Sequence, residues 1–457
     1  MAFLDENYLL TTDSAKAIYG EVGGLPILDP HNHCDVKALA EDRGFQDLWE
    51  AEAATDHYVW ELMRKCGVEE ALITGKEATN QEKWMALAKV FPLFAGNPTY
   101  EWIHLDLRTR LGIPLEINQE NALAIWEESR RKLQTPEYSP QSLILAMNVE
   151  AMCSTDDPAD TLEYHEKLSQ GRLAGRVRPT FRPDNAMNIQ KETWNGYMDR
   201  LGARWNRSLQ SLDDFLDVLA QAHDAMGKLG AVASDHGVLV PETFSPDRKT
   251  AEALFRKARA GEKLTAEEAA LFRGFFLNEM AELDAAKGWV FQIHYGAVRD
   301  VRTSLFQKLG ADVGGDVSDH NISALEPLLP LLNRFDGRLK VVLYNMNPAH
   351  NATMAMLTRA FGANVCLGPA WWLNDSYTGI RTQLELGASI DLFSNMTGMV
   401  SDSRKILSYG SRFDLYRRTL AAVLGDQVDR GQMPLAVGKM LARRLCYERP
   451  REFFGFR

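Results

Sequence analysis

The chain has 457 residues, 45% hydrophobic and 25% charged, the balance of an ordinary soluble protein with room for one large α/β domain plus an insertion, or for two domains. Its formal net charge of −11 argues against a general nucleic-acid binder, whose footprint is basic, but leaves room for a local basic pocket that takes a small anion. Five scattered cysteines give no disulfide framework or Cys-x-x-Cys pair, no secretory signal is read, and no apolar run approaches membrane-spanning length, so a reducing cytoplasm is expected.

In chain order, residues 5–20 predict a short N-terminal helix and 26–31 a first strand. That strand, Pro26-Ile27-Leu28-Asp29-Pro30-His31-Asn32-His33, is an apolar run ending in His-x-His. Residues two apart on a strand point the same way, so His31 and His33 present two imidazoles to one space, a common way to hold a divalent metal. Residues 35–145 show no convincing strand but several helical stripes. Val59, Leu62, Met63 and Cys66 follow the start signal Thr55-Asp56; Trp84, Leu87 and Phe91 form another stripe, and Tyr100, Ile103, Leu107 and Leu111 a third. A large helical insertion is therefore expected after strand one, covering the strand's carboxyl end.

From 146 to 457 short apolar segments alternate with helical ones: 149–154, 175–181, 230–235, 289–295, 339–346, 363–368 and 395–401. With the first strand they make eight β/α units, which predicts an α/β fold of the (β/α)8 TIM-barrel type, with an open doubly wound sheet as the rival. A smaller helical insertion is expected at 248–286, between strands four and five. There Thr265-Ala266-Glu267-Glu268 makes a capping box ahead of Leu271, Phe272, Phe275 and Phe276. The chain thus divides into 1–34 (helix and strand one), 35–145 (insertion) and 146–457 (the remaining barrel and C-terminal helices).

Polar groups follow nearly every strand, at the end where such barrels gather chemistry. Strand one ends in His31 and His33, strand two in Thr155-Asp156-Asp157-Pro158, and strand three leads to Arg182-Pro183-Asp184. Strand four gives Ser234-Asp235-His236, strand five His294-Tyr295, and strand six Asn345 and Asn347. Strand seven gives Trp371-Trp372-Leu373-Asn374-Asp375, and strand eight Ser401-Asp402-Ser403-Arg404. His31, His33, His294 and Asp402 are expected to form a mononuclear divalent-metal site; zinc suits that nitrogen and oxygen mix, with manganese and iron as the alternatives. Each residue also has a structural alternative: His294 as a satisfied core histidine, Asp235 and His236 as a hydrogen-bonded pair, Asp156 and Asp157 as helix-start residues, Arg182 and Arg404 as ion pairs.

The chain resembles uronate isomerase (glucuronate isomerase), a branch of the amidohydrolase superfamily, over nearly its full length. The resemblance rests on Asp29-x-His31-x-His33, Asp56-His57-Tyr58-x-Trp60-x-x-Met63-Arg64, Gly96-Asn97-Pro98, Thr155-Asp156-Asp157-Pro158, Arg182-Pro183-Asp184 and Ser234-Asp235-His236. It continues through His294-Tyr295-Gly296-Ala297-x-Arg299, Gly310-x-Asp312-Val313-Gly314, Trp371-Trp372-x-Asn374-Asp375 and Asp402-Ser403-Arg404. Asn32 stands where the family commonly has Cys, and Ser401 where it has Thr. The resemblance implies interconversion of D-glucuronate with D-fructuronate, and of D-galacturonate with D-tagaturonate, through a cis-enediol.

By position and resemblance Asp402 is the proton-transfer base, while Arg404, Tyr58 and His57 stabilise or protonate the enediolate oxygens. Arg182 takes the substrate carboxylate, Trp371 and Trp372 pack on the sugar, and Asp375 and His236 complete the substrate-binding set. A carboxylate bound tightly to zinc is a weaker base, so whether the metal is required stays open beside the role of Asp402. The rival is a mononuclear metal-dependent hydrolase or decarboxylase on the same scaffold; it shares His31, His33 and Asp402 but not the arginine-rich mouth. A non-catalytic sugar binder ranks behind it. The expected partner is a small hexuronate, with neither nucleic acid nor membrane. A homo-oligomer is compatible with such a barrel, although no stretch identifies an interface.

Overall fold

The computed structural model describes residues 3–456, and among these it holds nine strands: β1 (Ile27–Asp29), β2 (Val149–Cys153), β3 (Val177–Arg178), β4 (Ala233–Val238), β5 (Val290–Tyr295), β6 (Ala297–Val298), β7 (Val317–Ser318), β8 (Lys340–Asn345) and β9 (Val365–Leu367). Two parallel sheets, β1-β2-β3 and β4-β5-β8-β9, carry the fold, and β6 and β7 make a small antiparallel pair beyond the end of β5. Buried on both faces, the parallel strands are rich in valine, isoleucine and leucine, as helices on the outer face require.

The sheets meet through Phe181, which bridges Asp156 on one side and Ser234 on the other. At the opposite border, Asp402 N–H donates to the His31 carbonyl (3.2 Å) and His33 N–H to that of Ser403 (2.9 Å). One apolar cluster draws Leu28, Ala151, Ala233, Val290, Val342 and Cys366 from six strands, together with Val400 and the C-terminal Phe453, Phe454 and Phe456. A second packs the outer faces of β4, β5 and β8 on the helices.

The helices follow their local signals. Thr12 caps Asp13–Val22 by accepting from Ala15 N–H, so the first helix starts at 13 and the expected turns from residue 5 are not helical. Between β1 and β2 the described elements are all helical. One of them, His57–Lys65, is capped by Asp56, whose side chain accepts from Tyr58 N–H. Between β4 and β5 lie Arg248–Arg259 and Ala266–Lys287, the latter opened by the expected Thr265/Glu268 capping box. Among the described residues no helix is long and apolar enough to cross a membrane, and all five cysteines are free.

Three strand expectations change. The third shortens to Val177–Arg178 because Pro179 lacks the N–H a ladder needs, leaving Phe181 as an isolated residue bridged to Asp156 and Ser234. The fourth shifts from 230–235 to Ala233–Val238. The eighth, at 395–401, does not form a ladder. Phe393–Asn395 is a 3-10 turn, Ser401 N–H is taken by the Asp29 carboxylate (2.9 Å), and positive φ at Gly398 (+83°) and Asp402 (+48°) interrupts the extended path.

Candidate active site

Strand alternation decides what faces inward. In β4 and β5 the register pairs Asp235 with Gln292 and Gly237 with His294, so Asp235 and His294 share one face. His294 Nδ1 lies 2.6 Å from Asp235 Oδ1, and His31 Nδ1 3.1 Å from Asp235 Oδ2. The other His31 nitrogen, Nε2, is 3.2 Å from Asp402 Oδ1, and His33 Nε2 reaches the same oxygen at 3.3 Å. His31 is thus the shared ring of a chain His294–Asp235–His31–Asp402–His33. Burial pushes the His31 imidazolium down, but Asp235 and then Asp402 outweigh it and raise its pKa to about 9. Both carboxyls run the other way: burial opposes ionisation, yet Arg182, with His294 and His31, holds Asp235 well below the usual carboxylate range, and the hydrogen bonds of His31 and His33 do the same for Asp402.

The helix His57–Lys65 brings its first two side chains to this centre. Tyr58 is buried with no hydrogen-bond partner at its hydroxyl, and the His57 ring lies 5.9 Å from Trp372. Burial and then Arg404 push the His57 pKa down, so it is neutral at neutral pH. Trp371 stands 4.6 Å from His294, and the Arg299 guanidinium lies over Trp372 at 4.3 Å. Arg404 faces Asp312 across 3.5 Å. Trp372 (φ +55°) and Asp402 (φ +48°) both hold the left-handed backbone that side chains disfavour, and such strain gathers at functional sites.

The expected residues do not all converge. Arg182 lines the centre, but its Nε and Nη1 are engaged by Asp184 Oδ2 (2.9 Å) and Asp235 Oδ2 (3.1 Å). Asp375 is buried beside Tyr58 and pairs with Arg412 at 2.7 Å; burial raises its carboxyl pKa to about 7. His236 points away from the centre. Because β4 runs on to Val238, the residue after Asp235 faces outward, where His236 bonds Ser234 Oγ (2.9 Å) and its ring lies tilted 4.3 Å from that of Phe291. Two further Ser/His/Asp groups, Ser154–His165–Asp156 and Ser234–His223–Asp284, are buried throughout.

The expected ligand quartet resolves into two triads whose donor atoms lie within 4.8 Å of one another, His31–His33–Asp402 and His31–Asp235–His294. Asp235 was not among the expected ligands. The donor set fits a divalent cation: His294 Nε2 is buried without a partner, and the two carboxylates flanking His31 already favour positive charge there. Arg412 and Lys405, also missed, lie behind the site; neither carries a spacing signal, because their partners are remote in sequence.

A family model described as glucuronate isomerase matches residues 1–454. A uronate isomerase of Thermotoga maritima is 47% identical over 454 residues, covering 99% of this chain and 100% of its own. A crystal structure of uronate isomerase from that organism superposes with a TM-score of 0.97 at 47% identity, covering 99% of this chain and 100% of that one. A glucuronate isomerase structure from Caulobacter crescentus gives 0.94 at 28% identity, covering 99% and 97%. A proposed metal-dependent hydrolase of Lactobacillus casei shares the fold alone, with a TM-score of 0.57 at 15% identity over 96% of this chain and 97% of that one. Matched along its length in both sequence and structure, the chain belongs to the glucuronate isomerase (uronate isomerase) family.

Proposed function

We propose that the chain interconverts D-glucuronate and D-fructuronate, and D-galacturonate and D-tagaturonate, by moving a proton between C2 and C1 through a cis-enediol. The observation that carries this reading is Asp402: a carboxylate at the mouth, held by His31 and His33, with Arg404 two residues on and His57 and Tyr58 across from it. Asp402 takes the C2 proton while the C1 oxygen is protonated; the C2 hydroxyl then loses its proton to become the carbonyl as C1 gains one. The histidine contacts make Asp402 a weak base at rest, so its carboxylate turns toward C2 as the sugar enters.

Arg404, Tyr58 and the neutral His57 stabilise and protonate the developing oxyanions in a site from which Trp371 and Trp372 exclude water. The substrate carboxylate meets Arg182 at Nη2, the nitrogen that Asp184 and Asp235 leave free, and Asp375, beside Tyr58, belongs to the substrate-binding set. His31, His33, His294, Asp235 and Asp402 would hold a divalent metal, for which zinc is the preferred ion. Such a metal supplies Lewis-acid polarisation of substrate oxygens. The buried free cysteines support work in a reducing cytoplasm. The two parallel sheets, bridged at Phe181 and at the 29–33/401–403 border, support a single eight-unit barrel whose carboxyl mouth is covered by the helices of 35–145.

The test is a proton NMR time course with D-glucuronate in heavy water, with and without a chelator. Ketose signals with deuterium at C1 are expected, and the chelator arm reads the metal requirement. Unchanged D-glucuronate and D-galacturonate with metal-replete protein would overturn the reading and turn attention to amide and ester hydrolysis.

A further inference from the structure

We propose that Arg412, with Lys405 behind it, is a positioning residue that fixes Tyr58 and Asp402 relative to each other; this rests on the reading that those two side chains share the proton transfers. Arg412 is 2% exposed, near the start of the helix Ser408–Asp429. Its Nη1 donates to Asp375 Oδ2 (2.7 Å) and to the carbonyl of Ser401 (2.9 Å), the residue before Asp402. Its guanidinium lies 4.0 Å from the Trp102 ring and 5.4 Å from that of Tyr58. One planar cation therefore touches the loop after β9, the peptide that leads into the left-handed Asp402, and the ring of Tyr58.

Lys405 completes the tie from the other side. Its Nζ is 2.9 Å from Asp56 Oδ2 and 3.1 Å from Glu52 Oε2, with both carboxylates buried. Asp56 Oδ1 accepts from Tyr58 N–H at 2.9 Å. One carboxylate thus orients the helix end that carries His57 and Tyr58 and also binds a lysine three residues past Asp402. Stability alone explains such a cluster poorly, because buried ion pairs gain little over well-packed apolar side chains of the same volume. This one, which also includes the buried Asp106, lies where the two elements meet and fixes a geometry that packing alone would leave loose.

The test is a double-mutant cycle read in kcat and KM on D-glucuronate, with thermal midpoints to confirm folding. Arg412→Lys keeps the charge but loses the planar fork. We expect kcat to fall about tenfold to a hundredfold with KM little changed. In a Tyr58→Phe background the same substitution is expected to cost no more than about twofold. Equal losses in both backgrounds, a loss confined to KM, or unaltered kcat would overturn the proposal while the functional reading stands. If Arg412→Lys does not fold, Asp56→Asn takes its place with the same expectation, since it keeps the capping oxygen and removes the charge that meets Lys405. A wild-type chain inactive on every uronate, or Tyr58→Phe with full kcat, would break the functional reading and this proposal with it.

Discussion

Asp402 joins a strained backbone to two imidazoles on one carboxylate oxygen, so Asp402→Asn tests charge with little change of shape. Turnover is expected to fall by about a hundredfold to ten-thousandfold, with uronate binding by calorimetry nearly unchanged. Near-normal turnover would remove Asp402 from the mechanism. For Arg182→Lys the expected effect is a higher KM for uronates with no comparable penalty on a neutral aldose; equal penalties would count against the carboxylate role. Asp235 sits between His31 and His294, and Asp235→Asn is expected to weaken divalent-metal affinity at least about tenfold in a titration of metal-free protein. His31, His33, His294 and Asp402 were legible from strand-end position and resemblance. Whether Asp235 or His236 faces inward was not, since parity depends on where β4 stops and on its register with β5, and neither is written locally.

Among the elements, the segment between β5 and β8 docks on the helix His57–Lys65. Gly315 N–H donates to Glu61 Oε1 (2.6 Å), and Arg64 Nη1 donates to the Val313 carbonyl (2.5 Å). Gly314 makes this approach possible, with φ +90° and a would-be Cβ only 2.4 Å from Glu61 Cγ. Gly314→Ala must shift that contact and carry a left-handed alanine, at a cost of about 1–2 kcal/mol. The expected outcome is faster proteolytic nicking at 310–316 and a raised KM, with the global thermal midpoint nearly unchanged. A fall in the midpoint matching the loss of activity would mean that the docking is part of the core and not a local contact. Helices were readable because caps such as Asp56 and Thr265 lie beside the turns they satisfy. The eighth strand misled because its apolar run is genuine, while the Asp29 side chain that takes its N–H comes from the other end of the chain.

Across the whole molecule, buried carboxyls pull stability in opposite directions with pH. Asp156, joined to Ser154 Oγ (2.7 Å) and Thr180 N–H (3.2 Å), is pushed up by burial to about 7. Its neighbour His165, held down to about 4 by burial, is neutral as Asp156 titrates near 7. The unfolded chain binds this proton with a pKa of about 3.9. The stability contributed by protonated Asp156 is therefore complete below pH ~4 and is lost as pH rises through about 7, a swing on the order of a few kcal/mol. Asp235 and Asp402, held low, contribute the reverse: stability present above pH ~4 and lost on acidification. A maximum on the mildly acidic side follows. Self-repulsion of a chain with net charge −11 also grows with pH, but largely cancels when variant and parent are compared. In metal-replete protein the urea midpoint of the parent should fall between pH ~5.5 and ~8.5. That of Asp156→Asn should fall less, so the difference moves in the variant's favour by on the order of 1–2 kcal/mol. Parallel curves would mean that Asp156 is ionised throughout, and that Ser154 and Thr180 suffice to hold a buried charge.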